Sequence, residues 1–363
     1  MTTELDEFLK NITPLNRDAM EAARRYQASL AKPPESLGRL EELSIQLAGI
    51  TGKVHNSMEN PHLLVFAADN GVAEEGVSSA PQSVTLMQTI NLTRGKTGAS
   101  TLCKHFGVGI TVCDVGVKTD IHDSAVLNRK IAYGTRNMAK EPAMTREQAT
   151  RAILTGIGLA MRTEASALGV GEMGIGNTTT SAAVLAALTG ASVEEVAGRG
   201  GGLTDRGFAT KKRVLRQALA LHHPDPGDPV AVLAAVGGLD LAAMTGLFLG
   251  CAHEGLAAAV DGYISIVAAL CAVRLCPRVR DYLFLSHASY EIGYRLAARE
   301  LELEPCLLLG MRLGEGSGCP LLFRILQGAC AVLDGMATFP EAAIEDEYLT
   351  PIRQGDAFTV DKS

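Results

Sequence analysis

A carboxylate set between glycines is the sharpest chemical feature of this chain. Glu315 lies in Leu313-Gly314-Glu315-Gly316-Ser317-Gly318. With no flanking side chains to shield it, a substrate can come close, and near a strand end it is a candidate general base. The same tripeptide also occurs in plain turns. A second feature is Gly171-Glu172-Met173-Gly174-Ile175-Gly176-Asn177-Thr178-Thr179-Thr180, followed by an alanine-rich stretch. Glycines let backbone approach an anion, the N–H groups of a helix start point at it, and threonine hydroxyls add donors. The segment reads either as a phosphate or carboxylate cradle or as a tight strand-to-helix turn with a threonine cap. A third is Gly198-Arg199-Gly200-Gly201-Gly202-Leu203-Thr204-Asp205, with Lys211 and Lys212 one or two helical turns later. It suits a phosphomonoester, or else a surface loop leading into a solvated helix face.

Three other segments imitate known motifs and fail. Arg94-Gly95-Lys96-Thr97 looks like the end of a P-loop, but Ile90 occupies the place of the first glycine. His253-Glu254 opens like a zinc-protease helix, but Ala257 stands where the second histidine belongs. Ser317 is not centred in a nucleophile elbow, because Glu315 takes the first glycine's place.

These residues need elements to hold them. Residues 5–47 read as helical, with a break at Lys32-Pro33-Pro34. Short apolar runs then recur at 62–69, 109–117, 170–177, 281–287 and 306–312, each ending in a polar or glycine-rich turn. Runs that are apolar on both faces suit a parallel sheet covered on both sides. Alanine-rich helical stretches such as 180–188 and 228–236 lie between them, which predicts an α/β doubly wound, mostly parallel sheet. In such sheets ligands bind beyond the carboxyl ends of the strands. The unusual residues fall there: Asp69-Asn70-Gly71, Glu172-Met173-Gly174, Ser286-His287 and Gly314-Glu315-Gly316. The expected division is a helical segment over 1–55, an α/β domain over 56–345 and a loosely held polar tail over 346–363.

Composition narrows the function class. A 363-residue chain with 47% apolar and 20% charged residues has ample material for a core. The net charge is −7, aromatics are 4% and there is no Trp, so neither a nucleic-acid surface nor a base-stacking platform is expected. The eight cysteines form no C-x-x-C pair and sit mostly in apolar runs, which predicts buried free thiols in a reducing compartment. The N-terminus lacks the basic and apolar regions of a signal peptide. The longest apolar runs are cut by Asp261 and Arg274, short of the roughly 18 residues of a spanning helix. A cytoplasmic enzyme with no membrane partner is the expectation. The small-residue segment 238–250 is a candidate for close packing at a dimer interface.

Taken in order, the motifs resemble the nicotinate-nucleotide:dimethylbenzimidazole phosphoribosyltransferase family. The matching stretches are 32–42 (KPPESLGRLEE), 68–77 (ADNGVAEEGV), 172–179 (EMGIGNTT), 198–211, 260–263 (VDGY) and 313–318 (LGEGSG). The resemblance implies an α/β sheet with a smaller helical domain built from chain ends, usually as a homodimer. It implies transfer of phosphoribose from nicotinate mononucleotide to the lower-ligand base of a cobamide, with inversion at C1′. It also implies a reaction that needs no metal, cofactor or pyrophosphate. Glu315 would be the catalytic base. The phosphate site would come from the turn of Gly174, Gly176, Asn177 and Thr178, the Gly200 loop and Lys211, with Asp261 and Ser289 nearby. Glu172 would sit beside ribose or base, and residues 78–88, including Ser78 and Gln88, would help line the base pocket.

The chain departs from the family at strand-end loops. Asn70 replaces a common His, residues 286–293 lack the common Arg and Pro, and Gly200-Gly201-Gly202 replaces G-T-G. These changes leave open the version of the enzyme that activates phenol or p-cresol as a heterodimer of related chains. A catalytically silent partner subunit is a further alternative, opposed by the retained Glu172 and Glu315. A dinucleotide-binding dehydrogenase is disfavoured because no G-x-G-x-x-G turn follows the first strand.

Overall fold

The computed structural model describes residues 2–353. The chain divides into two compact units, one of Met1–Leu15 with Met58–Ile325, the other of Asn16–Ser57 with Leu326 onward. These bounds differ from the expected ones at both ends. The first fifteen residues go with the large unit because Phe8 stacks on His253, Arg278 donates to the Ile12 carbonyl and the Tyr282 hydroxyl donates to that of Thr13. Residues 326–345, expected in the α/β domain, go with the small unit.

The large unit holds a seven-stranded parallel sheet. Its strands are β1 (Pro61–Ala68), β2 (Gly109–Gly116), β3 (Val126–Asn128), β4 (Ala167–Met173), β5 (Ala257–Val260), β6 (Leu283–His287) and β7 (Pro305–Leu307). The order is β3-β2-β1-β4-β5-β6-β7, so the winding reverses between β1 and β4. That switch point opens a crevice at the carboxyl ends. The doubly wound reading holds, with two strands unforeseen. β5 is Ala-Ala-Ala-Val, whose alanines carry no strand signal, and β3 has three residues. The expected strand 306–312 stops at Leu307.

The core is built by close helix approach. Helix Leu239–Glu254 is buried from Leu239 through Ala252 and packs on helix Arg146–Ala160 through glycines. A Cβ on Gly246 would lie 1.8 Å from the Ile153 carbonyl oxygen, and one on Gly156 1.9 Å from that of Ala243. Segment 238–250 is therefore core of one protomer, which removes it as a dimer surface.

The small unit contains helices Arg17–Ser29 and Arg39–Thr51. Its motif at 32–42 is structural: buried Lys32 Nζ pairs with Glu41 Oε1 at 2.7 Å, and that oxygen also accepts the Leu37 N–H. A bridge between Leu30 and Thr338 joins its two chain segments. The expected loose tail is partly ordered, with a 3-10 turn Glu347–Leu349 whose Leu349 is buried and a short helix Thr350–Arg353. Residues 354–363 of that tail lie outside the described residues.

Candidate active site

The loops after β1, β4, β5, β6 and β7 converge on one cleft of about 180 Å³. Its walls include Glu315, Glu172, the turn Gly174–Thr178, Gly200, Ser289 and Ser78, so most residues singled out from the sequence meet here. Three do not reach the wall. Lys211 lies behind Thr178, fully buried, and its Nζ donates to Thr178 Oγ1 at 2.9 Å. Asp261 lies beneath the Glu315 turn. Gln88 is carried along helix Ser83–Thr93, away from the 78–80 loop, and accepts from Asn91.

The Glu315 turn is unusual backbone. Gly314, Glu315 and Gly316 have φ of 86°, 63° and 83°. Left-handed conformation is easy for glycine and rare for glutamate. Buried carboxyl groups hold it there. Asp261 accepts the N–H groups of Gly316 at 3.1 Å and Gly318 at 2.6 Å, and Glu172 Oε1 accepts that of Glu315 at 3.3 Å. The turn also lies against β4, where a Cβ on Gly171 would sit 2.4 Å from the Glu315 carbonyl oxygen.

The side chain of Glu315 is aimed by a helix start. Its Oε2 accepts the Ala99 N–H at 3.0 Å, in the first turn of helix Gly98–Phe106. A carboxylate is favoured at this end of the helix dipole. Thr97, the last residue of the false P-loop, is that helix's cap and forms a capping box with Ser100. Glu315 is 4% exposed, and among the described residues Oε1 has no protein partner.

The Gly174–Thr178 turn and Gly200 line the same cleft and form a candidate anion cradle. Gly176, at φ 96°, caps helix Asn177–Thr189 without a side-chain bond. Among the described residues, the N–H groups of Gly176 and Thr178 have no protein acceptor. Gly200, at φ 55°, packs against the Thr178 hydroxyl. The Asn177 side chain points elsewhere: its amide donates to both Glu172 and Asp240.

Burial dominates the electrostatics. Glu172 is pushed up to about 8, first by burial and then by the charge of Asp240. Burial raises Asp261 to about 7 and Asp240 to about 6. It lowers Lys211 to about 8 and His287 to about 4. His287, 3.8 Å from Asp261, is therefore neutral at neutral pH and forms no ion pair there.

The sequence reading missed three cleft or near-cleft residues. Arg312 lines the cleft, and its Nη1 lies 3.4 Å from the Gly200 carbonyl oxygen. Glu291 also lines it, beside the His287 already marked at a strand end, and Glu291 Oε2 is buried without a partner. The third is Asp240 behind Glu172. Its available signal was the double glycine Gly237-Gly238 before a helix.

A buried carboxyl group and a candidate anion cradle in one cleft, at the switch point of a parallel sheet, suit a group-transfer enzyme for a phosphorylated substrate. Comparison with known proteins names the group. A family model described as Phosphoribosyltransferase matches residues 12–344, and the chain belongs to that family. It is 47% identical over 359 residues to the nicotinate-nucleotide–dimethylbenzimidazole phosphoribosyltransferase of Clostridium perfringens (strain ATCC 13124), covering 98% of this chain and 99% of the relative. The corresponding protein of Geobacter metallireducens is 44% identical over 347 residues, 94% of this chain and 98% of that one. The crystal structure of CobT from Thermus thermophilus superposes with a TM-score of 0.87 at 40% identity, covering 91% of this chain and 99% of that one.

The raised carboxyl values carry a sign for stability. Glu172, Asp240 and Asp261 hold protons more tightly folded than unfolded. Their contribution is complete below the ordinary carboxylate value of ~4. It is lost as pH rises through about 6, 7 and 8. The melting temperature is expected to fall between about pH 4.5 and 8. Glu172→Gln cannot ionise, so it should flatten the upper part of that fall. An equally steep fall in the variant would show that Glu172 is not its source.

Proposed function

We propose that the chain transfers the 5-phosphoribosyl group of nicotinate mononucleotide to 5,6-dimethylbenzimidazole or a similar lower-ligand base of a cobamide. The products are nicotinate and the α-riboside 5′-phosphate. The observation that carries this reading is Glu315, held rigidly in a cleft that also holds a candidate anion cradle. The names borne by the relatives supply the substrates, and none of those described above carries a phenol in its name. Convergence of Glu172, Glu315 and the cradle on one cleft counts against a silent subunit.

The cradle receives the 5′-phosphate through the Gly174–Thr178 turn and the Gly200 loop. Lys211 reaches it through Thr178 and lends charge from behind. The C1′–N bond breaks with its electron pair passing to the nicotinate nitrogen. One benzimidazole nitrogen attacks C1′ from the opposite side, giving inversion. The proton on the other nitrogen passes to Glu315, which must lie within about 3 Å of it. Ser78 and its loop are placed to border the incoming base. Glu172 stands beside the ribose or base, and Asp261 acts by holding the Glu315 turn.

The direct test mixes the purified chain with nicotinate mononucleotide and a panel of benzimidazoles, adenine and phenols, then measures free nicotinate and the new riboside. Glu315→Gln keeps size but cannot take the proton. It should lose roughly 10² to 10⁴ in kcat while nicotinate mononucleotide still binds. Near wild-type turnover would reduce Glu315 to a turn residue.

Lys211→Ala is expected to raise KM for nicotinate mononucleotide more than it lowers kcat. A phosphate contact made equally in ground and transition states contributes uniform binding. An unchanged KM would remove Lys211 from the phosphate site.

The proposal includes a cytoplasmic dimer. Seven of the eight cysteines, all but Cys306, are buried free thiols, which supports a reducing compartment. Tyr290, Ile292 and Leu308 are exposed around one hollow, which supports a dimer surface. Light scattering should show a dimer at micromolar concentration. A monomer would count against it, and a dimer formed only with a related chain would indicate a heterodimer.

A further inference from the structure

Asp240 takes no part in those steps, yet it is built into the site. It is the second residue of helix Leu239–Glu254 and is 0% exposed. Its Oδ1 accepts the Leu241 N–H at 3.0 Å, and its Oδ2 accepts Asn177 Nδ2 at 3.1 Å. The same nitrogen donates to Glu172 Oε2. A side-chain amide has two donor hydrogens, so each carboxyl group receives one. Glu172 Oε1 accepts the Glu315 N–H. A hydrogen-bonded path thus runs from Asp240 through Asn177 and Glu172 to the Glu315 turn.

The surrounding backbone is cut away for it. A Cβ on Gly238 would lie 2.3 Å from Asp240 Oδ1, and one on Gly174 2.8 Å from Oδ2. Gly174 belongs to the cradle, so Asp240 touches both halves of the site.

We propose that Asp240 is a positioning residue for the transfer: through Asn177 it fixes the Glu172 carboxyl, and through Glu172 it sets the Glu315 turn. The inference rests on the transferase reading. Without Asp240 the Asn177 amide is held at one hydrogen and is free to turn. Glu172 then loses its fixed direction, and the base it supports loses its aim. Charge works with geometry. Glu172 faces the carboxyls of Asp240 and Asp261, the Asn177 amide and the Glu315 N–H. Asp240 faces the Asn177 and Asn70 amides and the N–H groups of its own helix start. A helix N-terminus favours the anion. Asp240 is therefore the member that ionises, and Glu172 keeps the proton. A neutral Glu172 does not repel the phosphate or the Glu315 carboxylate.

The test is a double-mutant cycle with Glu172→Gln, on purified full-length protein with nicotinate mononucleotide and dimethylbenzimidazole. Wild-type turnover is measured first, and its absence removes the reading beneath the inference. Asp240→Asn places a donor against the Asn177 donor at nearly unchanged size. Its kcat should fall roughly 10- to 100-fold, the cost of a small misplacement, with KM changed less than about twofold. The limb of the pH profile that reports Glu172 should move to lower pH, because a like charge is gone. In the Glu172→Gln background the same change should cost little, so the two losses do not multiply. Asp240→Glu should restore part of the rate. Losses that multiply, an unmoved pH profile or a rise in KM alone would each overturn the proposal. If Asp240→Asn does not fold, Asn177→Ser breaks the bridge at its centre and must show the same non-multiplying loss.

Discussion

The turn at Glu315 is the constraint around which the large unit is arranged. Three successive residues adopt left-handed backbone, and the middle one carries a side chain. Such a conformation at a non-glycine residue costs of order 1–3 kcal/mol and persists only where its surroundings over-determine it. Here they do. Glycines flank it, Gly171 of β4 gives it room to seat, and three of its N–H groups end on the buried carboxyls of Asp261 and Glu172. A helix start claims one oxygen of the side chain. The strand order brings these suppliers together: β4 lies at the switch point, β5 leads into Asp261, and the turn itself follows β7. One carboxyl group is aimed by elements from distant parts of the sequence.

This explains what could be read beforehand. Local signals were legible. Apolar runs marked β1, β2, β4 and β6, and the glycine clusters marked the cradle and the Glu315 turn. Long-range commitments were not. Asp261 was expected beside the phosphate, yet both its oxygens serve the backbone of residues 316 and 318. Asn177 was placed in the cradle by its position in EMGIGNTT, yet its backbone N–H donates to the Gly174 carbonyl at 3.1 Å. Its amide is spent on two acids that are distant or hidden in sequence. No spacing rule connects residue 177 to residue 240. The false P-loop shows the converse. It lacks the nucleotide motif, but the helix start it encodes receives the carboxylate of Glu315.

The small unit offers a similar contrast. KPPESLGRLEE is among the stretches that carry the family resemblance, yet its charged residues form an internal ion pair between Lys32 and Glu41. A buried pair of this kind is weak evidence for stability, since desolvation offsets much of the attraction. Its value lies in geometry: Glu41 also accepts the Leu37 N–H, which fixes the loop between the two helices. Recurrent motifs in such chains therefore mark folding constraints as readily as chemistry, and the site must be argued from contacts.

The protein side of the site is electrostatically uneasy, and that has a bearing on how it binds. Lys211 is buried with a hydroxyl as its hydrogen-bond acceptor, and burial has drawn its value down to about 8. Glu291 has a buried oxygen with no partner, and among the described residues the N–H groups of Gly176 and Thr178 have no protein acceptor. Each is a cost already carried by the folded chain, held in place by the sheet and its helices. In the proposed reaction a phosphate entering the cradle would accept the free N–H groups and favour the charged form of Lys211. Donors fixed in advance lose little entropy on binding, so more of each contact appears as affinity. The carboxyls must then stay out of the way of the incoming anion. Those of Glu172 and Asp261 do so by holding protons near neutral pH, and that of Glu315 by turning one oxygen to the start of a helix. The same burial that strains the folded chain thus separates the charges that attract the substrate from those that would repel it.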